Sequence, residues 1–239
     1  MTALGIRYLT GYSVAANLAM PRAPEWPPHP GRIFMALAAA YFETAGDDDE
    51  QQALEWLESA GTPAVGAGDG EQRSFVETYV PANDKLEKQS GGLFRARQPR
   101  SFAVIRPQRD SVYLIWNSEV PPHLRGGLER LCRKVTRIGH SSSLVQMWVA
   151  ESVANISAEW QPADGDAQQR MRVPEPGTLA YLKRAFNSSE IQAYSQLVNA
   201  LEGARGREKI RLGKQLGEHF PDGRPESLRP KLTHWQGYA

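Results

Sequence analysis

Cysteine is almost missing from this chain: Cys132 is the single one among 239 residues. That excludes an internal disulfide and a cysteine-rich metal site, and a lone thiol among helical, apolar neighbours reads as a buried side chain in a reducing cytoplasm. Long apolar runs are missing too, since none approaches the roughly 20 residues that a membrane span needs. The opening MTALGIRYLTGYS has no basic segment followed by a continuous apolar stretch, so no secretory signal is expected and the expected location is cytoplasmic. Charge of one sign is not in excess either, because 28 Lys and Arg face 27 Asp and Glu for a formal net charge of +1. A uniformly basic nucleic-acid binder is thereby excluded, and any such site has to come from local segregation of charge. There is no GxxxxGK[ST] phosphate loop, no HExxH and no GxSxG, and His29, His123, His140, His219 and His234 show no metal-ligand spacing. No catalytic residue, metal ion or cofactor is therefore assigned. The acidic run Asp47, Asp48, Asp49 precedes a helix, where such residues cap or face water more often than they hold a cation.

What the sequence does contain is segregated charge. Residues 85–109 carry seven cations, Lys85, Lys88, Arg95, Arg97, Arg100, Arg106 and Arg109, against one acid, Glu87. Around this segment the hydrophobic periodicity predicts an α+β chain. Residues 4–12 alternate Leu4, Ile6 and Tyr8 as a half-buried strand does. Five prolines between residues 21 and 30 forbid regular structure until Pro30 can open a helix, which RIFMALAAAYFETAG continues. That helix is apolar all round, which predicts packing between a sheet and a further domain or subunit. QQALEWLESAG reads as a second helix and residues 73–80 as a second strand. Residues 81–100 then form an excursion too long for a simple hairpin, of the kind that is usually functional or disordered. Strands are predicted over 101–106 and 111–117. The segment PPHLRGGLERLCRKVTRIG spaces Leu124, Leu128, Leu131 and Val135 as one buried helical stripe, and the β-rich stretch after it supplies a closing strand. The order β, α, α, β, excursion, β, α, β predicts a ferredoxin-like or RRM-type sheet with insertions over residues 1–160. Residues 161–177, with three prolines and two glycines, read as a linker. Residues 178–239 read as a helical appendage with an irregular tail.

Two features suit RNA. At the end of the third helix Arg133, Lys134, Arg137, Gly139, His140, Ser141, Ser142 and Ser143 gather cations, hydroxyls and backbone N–H groups, which position a sugar-phosphate backbone without reading its sequence. A basic helix end complementing its dipole, with Gly139 as the closing residue, is the alternative account. The basic arm of Arg95, Arg97, Arg100 and Arg106 interleaves Phe94 and Phe102, so it offers neutralisation of phosphates together with stacking surfaces; a solvated basic loop is the alternative there.

The stretches EWPPHPGRIFMALAAAY and RIGHSSSLVQMWV together resemble the Cas-five family, in particular the first half of the Cas-five/Cas-six fusion subunit of type I-G (formerly I-U) CRISPR systems. TYVPANDK is similar to the family's entry into its variable excursion, and WQGYA to the end of that first half. The resemblance implies an RRM-like domain with an inserted β-hairpin thumb, here at about residues 81–100. Such a domain binds the 5′ handle of the guide crRNA at one end of a Cascade-type effector, beside the backbone subunit and the large subunit and near target DNA. Guide base pairing would then supply specificity while the protein reads shape. A Cas-six-like half, which would process precursor RNA, does not lie within these residues. A family with a dedicated nuclease half has no need of a second one, so the chain is expected to be non-catalytic. The alternative is a metal-independent endoribonuclease, in which His140 with Lys134 or Arg137 supplies the base and the cation that RNA cleavage needs.

Overall fold

A computed structural model describes residues 1–239 apart from 18, 19, 21, 74–76, 90, 91, 166, 186, 187, 222 and 224–232. The first strand, β1 (Thr2–Tyr8), stops earlier than expected, because residues 9–12 turn sharply. Gly11 takes φ +72° and its N–H bonds to the Tyr8 carbonyl at 3.1 Å, a conformation that disfavours a side chain. After β2 (Ser13–Val14) and the proline-rich loop, α1 (Pro30–Glu43) opens with proline at its first position, where the missing N–H costs nothing. In α2 (Asp48–Ser59) the first acid of the run is the cap: the Asp47 carboxylate accepts from the Glu50 N–H at 2.9 Å. Then come β3 (Ala64–Gly66), β4 (Gly70–Gln72), β5 (Glu77–Gln89), β6 (Gly92–Ser101), β7 (Val104–Pro107), β8 (Ser111–Trp116), α3 (Pro122–Lys134) and β9 (Val145–Val149).

The principal sheet has the order β3-β8-β1-β9, with every neighbouring pair antiparallel. In its register Leu4 lies beside Leu114 and Val149, and Ile6 beside Val112 and Met147, so one face of the sheet is a continuous buried layer. Helix α3 packs on β9 and α2 on α3. The buried stripe of α3 is Leu124, Leu128 and Leu131, as the spacing predicts, with Cys132 buried among them. Each such leucine contributes about 1.5–3 kcal/mol when fully buried. Helix α1 buries Ile33, Phe34, Leu37 and Ala38 and packs on α2, α3 and β11 (Gln169–Pro174), while Phe42 remains 36% exposed.

A second sheet, β2-β7-β4, sets Ser13 beside Ile105 and Glu71 beside Arg106. Strands β5 and β6 pair antiparallel from Glu77 with Ser101 to Gln89 with Gly92, with an irregularity between Pro81 and Leu86. The excursion is thus a long two-stranded hairpin, and the N–H donor that Pro81 lacks accounts for a break in its ladder. The strand expected over 73–80 includes residues 74–76, outside the described residues.

The stretch expected as a linker holds two strands, β10 (Pro162–Ala163) and β11, and the tail expected to be irregular holds β12 (Thr233–Tyr238). The three form a sheet of order β10-β12-β11. Tyr238 is fully buried and donates from its hydroxyl to the Pro63 carbonyl at 3.0 Å. Accordingly one compact unit comprises Met1–Pro174 with His234–Ala239, and Glu175–Thr233 forms the other. That second unit holds α4 (Thr178–Ala185), α5 (Ser188–Gly203) and α6 (Gly206–His219). There α5 packs on α6, the Tyr194 ring meets Phe220 edge-on at 5.2 Å, and Leu212 is buried. No helix among the described residues is long and apolar enough to cross a membrane.

Candidate nucleic-acid interface

The Gly-Ser loop after α3 is held rigidly by β2. Gly139 takes φ +79°, and a side chain there would put its Cβ 3.0 Å from the Val14 carbonyl oxygen, so the backbone angle calls for glycine and the close approach favours it further. The buried Ser143 hydroxyl accepts from the Val14 N–H at 2.6 Å, and the His140 N–H donates to the Val14 carbonyl at 3.0 Å. Within the loop the Ser143 N–H returns to the His140 carbonyl at 2.9 Å. Ser143 and Gly139 therefore build the loop, while His140 and Ser141 are the residues it exposes and Ser142 is half-buried. His140 Nδ1 accepts from the Ser142 N–H at 3.2 Å and lies 2.8 Å from its hydroxyl. The imidazole packs against Phe102 with ring centroids 4.6 Å apart. Phe102 sits where the hairpin ends and β7 begins, so the fold joins the two predicted features at this point.

Along the same sheet lies a cavity of about 260 Å³ lined by Thr10, Gly11, Tyr12, Arg73 and Arg106. Arg73 and Arg106 are exposed and form no ion pair among the described residues. The cavity thus presents two guanidinium groups, a hydroxyl, a turn and a phenol ring, the groups that bind a phosphate and stack a base. Phe102 leads into β7, and the Arg73 N–H donates to the Val104 carbonyl of that strand at 3.1 Å, so the ring pair and the cavity border the same strand as one strip.

The model of the CRISPR-associated protein GSU0054 family matches residues 5–194. The chain belongs to that family. Among solved structures, a crystal structure of a CRISPR protein from Archaeoglobus fulgidus is similar over 74% of this chain and 81% of that one, at 14% sequence identity and a TM-score of 0.33. No curated protein matches.

The other expected site residues of this CRISPR-associated chain fall into distinct settings. Lys134 Nζ lies 2.7 Å from the fully buried Glu50 carboxylate, and Arg137 lies 3.4 Å from Glu43. These two cations line a second cavity of about 260 Å³, whose helix α1 wall includes Met35, Ala36 and Ala39. Arg133 is exposed, 3.8 Å from Glu129 on the same helix. Arg100 is exposed opposite Thr78 in the hairpin register, whereas Arg95 and Arg97 stand opposite Leu86 and Pro81, with side chains outside the described part. Asp47 and Asp49 bind Arg130 at 2.9 and 3.2 Å. The Glu50 N–H first and Arg130 next hold the Asp47 carboxyl below its ordinary range.

Sequence reasoning missed Thr10, Tyr12 and Arg73, and also a charged cluster beneath the proline-rich loop. Glu25 is 1% exposed, yet its carboxylate takes Arg32 at 2.6 and 2.8 Å and Arg172 at 3.0 Å. Burial pushes its pKa up, but the Arg32 hydrogen bond and the surrounding positive groups outweigh that and hold it below the usual range. His29, 3.3 Å from Glu25, is driven down to about 4, because burial outweighs the attraction of that carboxylate. It is neutral at physiological pH. The cluster ties the entry of α1 to β11, and Trp26 extends the tie by donating to the Gly68 carbonyl at 3.1 Å. The signal available was EWPPHPGR itself, with Glu25, His29 and Arg32 at spacings of four and three; Arg172 has no local signal.

Proposed function

We propose that this CRISPR-associated protein is a Cas-five-type subunit of a type I-G, Cascade-type effector, that it grips the 5′ handle of the guide crRNA in the cytoplasm, and that it is not itself a catalyst. The observation that carries this reading is the strip along β7, where the Phe102–His140 pair and a cavity lined by two arginines free of ion pairs among the described residues border the same strand. Antiparallel order β3-β8-β1-β9, with helices between β1 and β3 and between β8 and β9, supports a ferredoxin-like, RRM-type domain. The β5–β6 hairpin supports a thumb. In this reading the thumb and the strip hold the RNA backbone, the backbone and large subunits of the effector adjoin, and target DNA passes nearby.

Binding is favoured over cleavage by the state of the loop. His140 is engaged by Ser142 and Phe102, and the cations considered as its partners, Lys134 and Arg137, are turned to Glu50 and Glu43. Cleavage needs a base and a cation poised at one phosphate.

The experiment is equilibrium binding of a handle RNA to the full chain across a range of salt, for wild type and for Arg73→Ala/Arg106→Ala. Every phosphate that is no longer neutralised lowers the slope of log K against log salt by about 0.7, so the double variant is expected to bind more weakly with a slope smaller by about 1.4. Unchanged affinity and slope would remove the strip from the RNA site. Specific cleavage of a labelled precursor by the wild-type chain in chelator, abolished in His140→Ala, would replace the binding reading with the nuclease one.

A further inference from the structure

The face of the principal sheet opposite its buried layer carries Ala3, Gly5 and Arg7 of β1. In the register Gly5 is flanked by Tyr113 on β8 and Trp148 on β9. A Cβ added at Gly5 would lie 2.2, 2.4 and 2.7 Å from Cε2, Cζ2 and Nε1 of Trp148, so the indole lies over the bare backbone of the glycine, with one ring face toward the strand. The Tyr113 ring stands at 88° to it with centroids 6.1 Å apart. The two rings make a corner, with an indole floor and a phenol wall. Both side chains are only half-buried, and among the described residues neither the indole N–H nor the phenol hydroxyl has a hydrogen-bond partner. One register step away stand Arg7, Gln146 and Ser111. Gln146 is exposed, and Arg7 is 55% exposed with its nearest acid, Asp110, at 3.7 Å.

We propose that this corner holds one unpaired nucleobase of single-stranded RNA, stacked on Trp148 with its edge toward Tyr113 and its phosphate within reach of Arg7. The proposal rests on the RNA-binding reading above but concerns a different sheet and different residues. An aromatic floor is tolerant of base identity, because every base has a π-face, while the Tyr113 hydroxyl and the Gln146 amide supply donors and acceptors for a base edge. Glycine at position 5 is what lets the indole lie flat. A protein strand laid on the same face would make no use of the cation and would not need the ring exposed.

The probe is a short fluorescent oligoadenylate, with its deoxy counterpart in parallel, titrated into the full chain. Stacking one base on an aromatic ring predicts that Trp148→Ala weakens RNA binding by about 5- to 150-fold. Because stacking releases no counterions, the salt slope stays that of wild type. Gly5→Ala, which displaces the ring, is expected to act in the same direction. Trp148→Phe keeps a ring, so it is expected to retain most of the affinity while losing the part of the RNA-induced quenching of tryptophan fluorescence that Trp148 contributes. That pairing keeps the test decisive if Trp148→Ala folds poorly. Wild-type affinity in Trp148→Ala, or quenching in Trp148→Phe equal to wild type, overturns the corner while leaving the strip intact, provided that Arg73→Ala/Arg106→Ala still lowers the slope. DNA bound as tightly as RNA, with the same loss in Trp148→Ala, would overturn the assignment to RNA. Absence of RNA binding by the wild type overturns both.

Discussion

Replacing Glu25 by alanine tests the physical account of the loop that leads into α1. The carboxylate is 1% exposed, takes two hydrogen bonds from Arg32 and one from Arg172, and receives the His29 N–H at 3.3 Å. Its removal leaves two guanidinium groups, 20% and 19% exposed, without their common anion. Breaking a buried ion pair on one side costs about 3–5 kcal/mol, and the partial exposure of both arginines places the expected loss at the lower end, about 3 kcal/mol. For a unit of this size that is a fall of roughly 6–12 °C in Tm. Glu25→Gln keeps the shape and one acceptor, so it is expected to lose about half as much. The assay is denaturant unfolding of the full chain followed by tryptophan fluorescence, to which Trp26 beside the cluster contributes. A shift in midpoint at constant m-value is the expected form. A loss under about 1 kcal/mol would refute the reasoning, since it would mean that desolvating the three charges already cancels their attraction in the native protein.

Three further outcomes follow from named interactions. His29 is held at about 4 against an ordinary value of 6.5, so the unfolded chain binds the extra proton first; stability is expected to fall as pH drops from about 6.5 toward 4, by up to about 3 kcal/mol, and His29→Gln should flatten that window in pH-dependent unfolding. The groups that face it are Glu25, Arg32 and Arg172, and as Glu25 is held low its own contribution is lost only at still lower pH. Ser143→Ala leaves the Val14 N–H buried without its 2.6 Å acceptor, so about 1–3 kcal/mol of stability should go, together with faster hydrogen exchange at Val14 and His140. Burial raises the Cys132 thiol to about 12, and aromatic disulfide reagents should label it only at the rate of unfolding; fast labelling of the native protein would contradict the packing of α3.

The elements legible in the sequence are those whose signal is local. Helix α3 shows its stripe at spacings of four and three, α1 its proline entry, and β1 and β8 their strand character, all of which the fold keeps, although β1, expected half-buried, is buried on both faces as far as Ile6. Strands β10, β11 and β12 were illegible because each is short or carries proline or glycine, and their pairing joins residues 162 and 163 to 238 and 237. Tyr238 is buried by that distant pairing, and nothing in WQGYA announces it. The site divides in the same way. Gly139 and the serines after it read as a turn because a turn needs them. Lys134 and Arg106 look alike in sequence, yet one is neutralised by Glu50, 84 positions away, and the other is not. Arg73 becomes a candidate only when β4 sets it beside β7, close to Arg106.

In the proposed reading, this division of cations is what would let a chain of net charge +1 hold a polyanion. Many of its acids are taken by ion pairs, two of them buried, Glu25 with Arg32 and Arg172 and Glu50 with Lys134, and others at the surface, Asp47 with Arg130 and Glu159 with Arg109. Each pairing removes a cation from the surface field and fixes a loop or helix end. The cavity residues Arg73 and Arg106 form no ion pair among the described residues, and with Glu71 as the one acid beside Arg106 in the register the two cations outnumber it there. A binder of this kind neutralises few phosphates, hence has a shallow salt dependence, and it must draw the rest of its affinity from terms that salt does not screen. Stacking on exposed rings is such a term. Two cavity arginines alone bound the slope at about 1.4, and a measured slope well above that would assign further phosphates to the arginines of the β5–β6 hairpin.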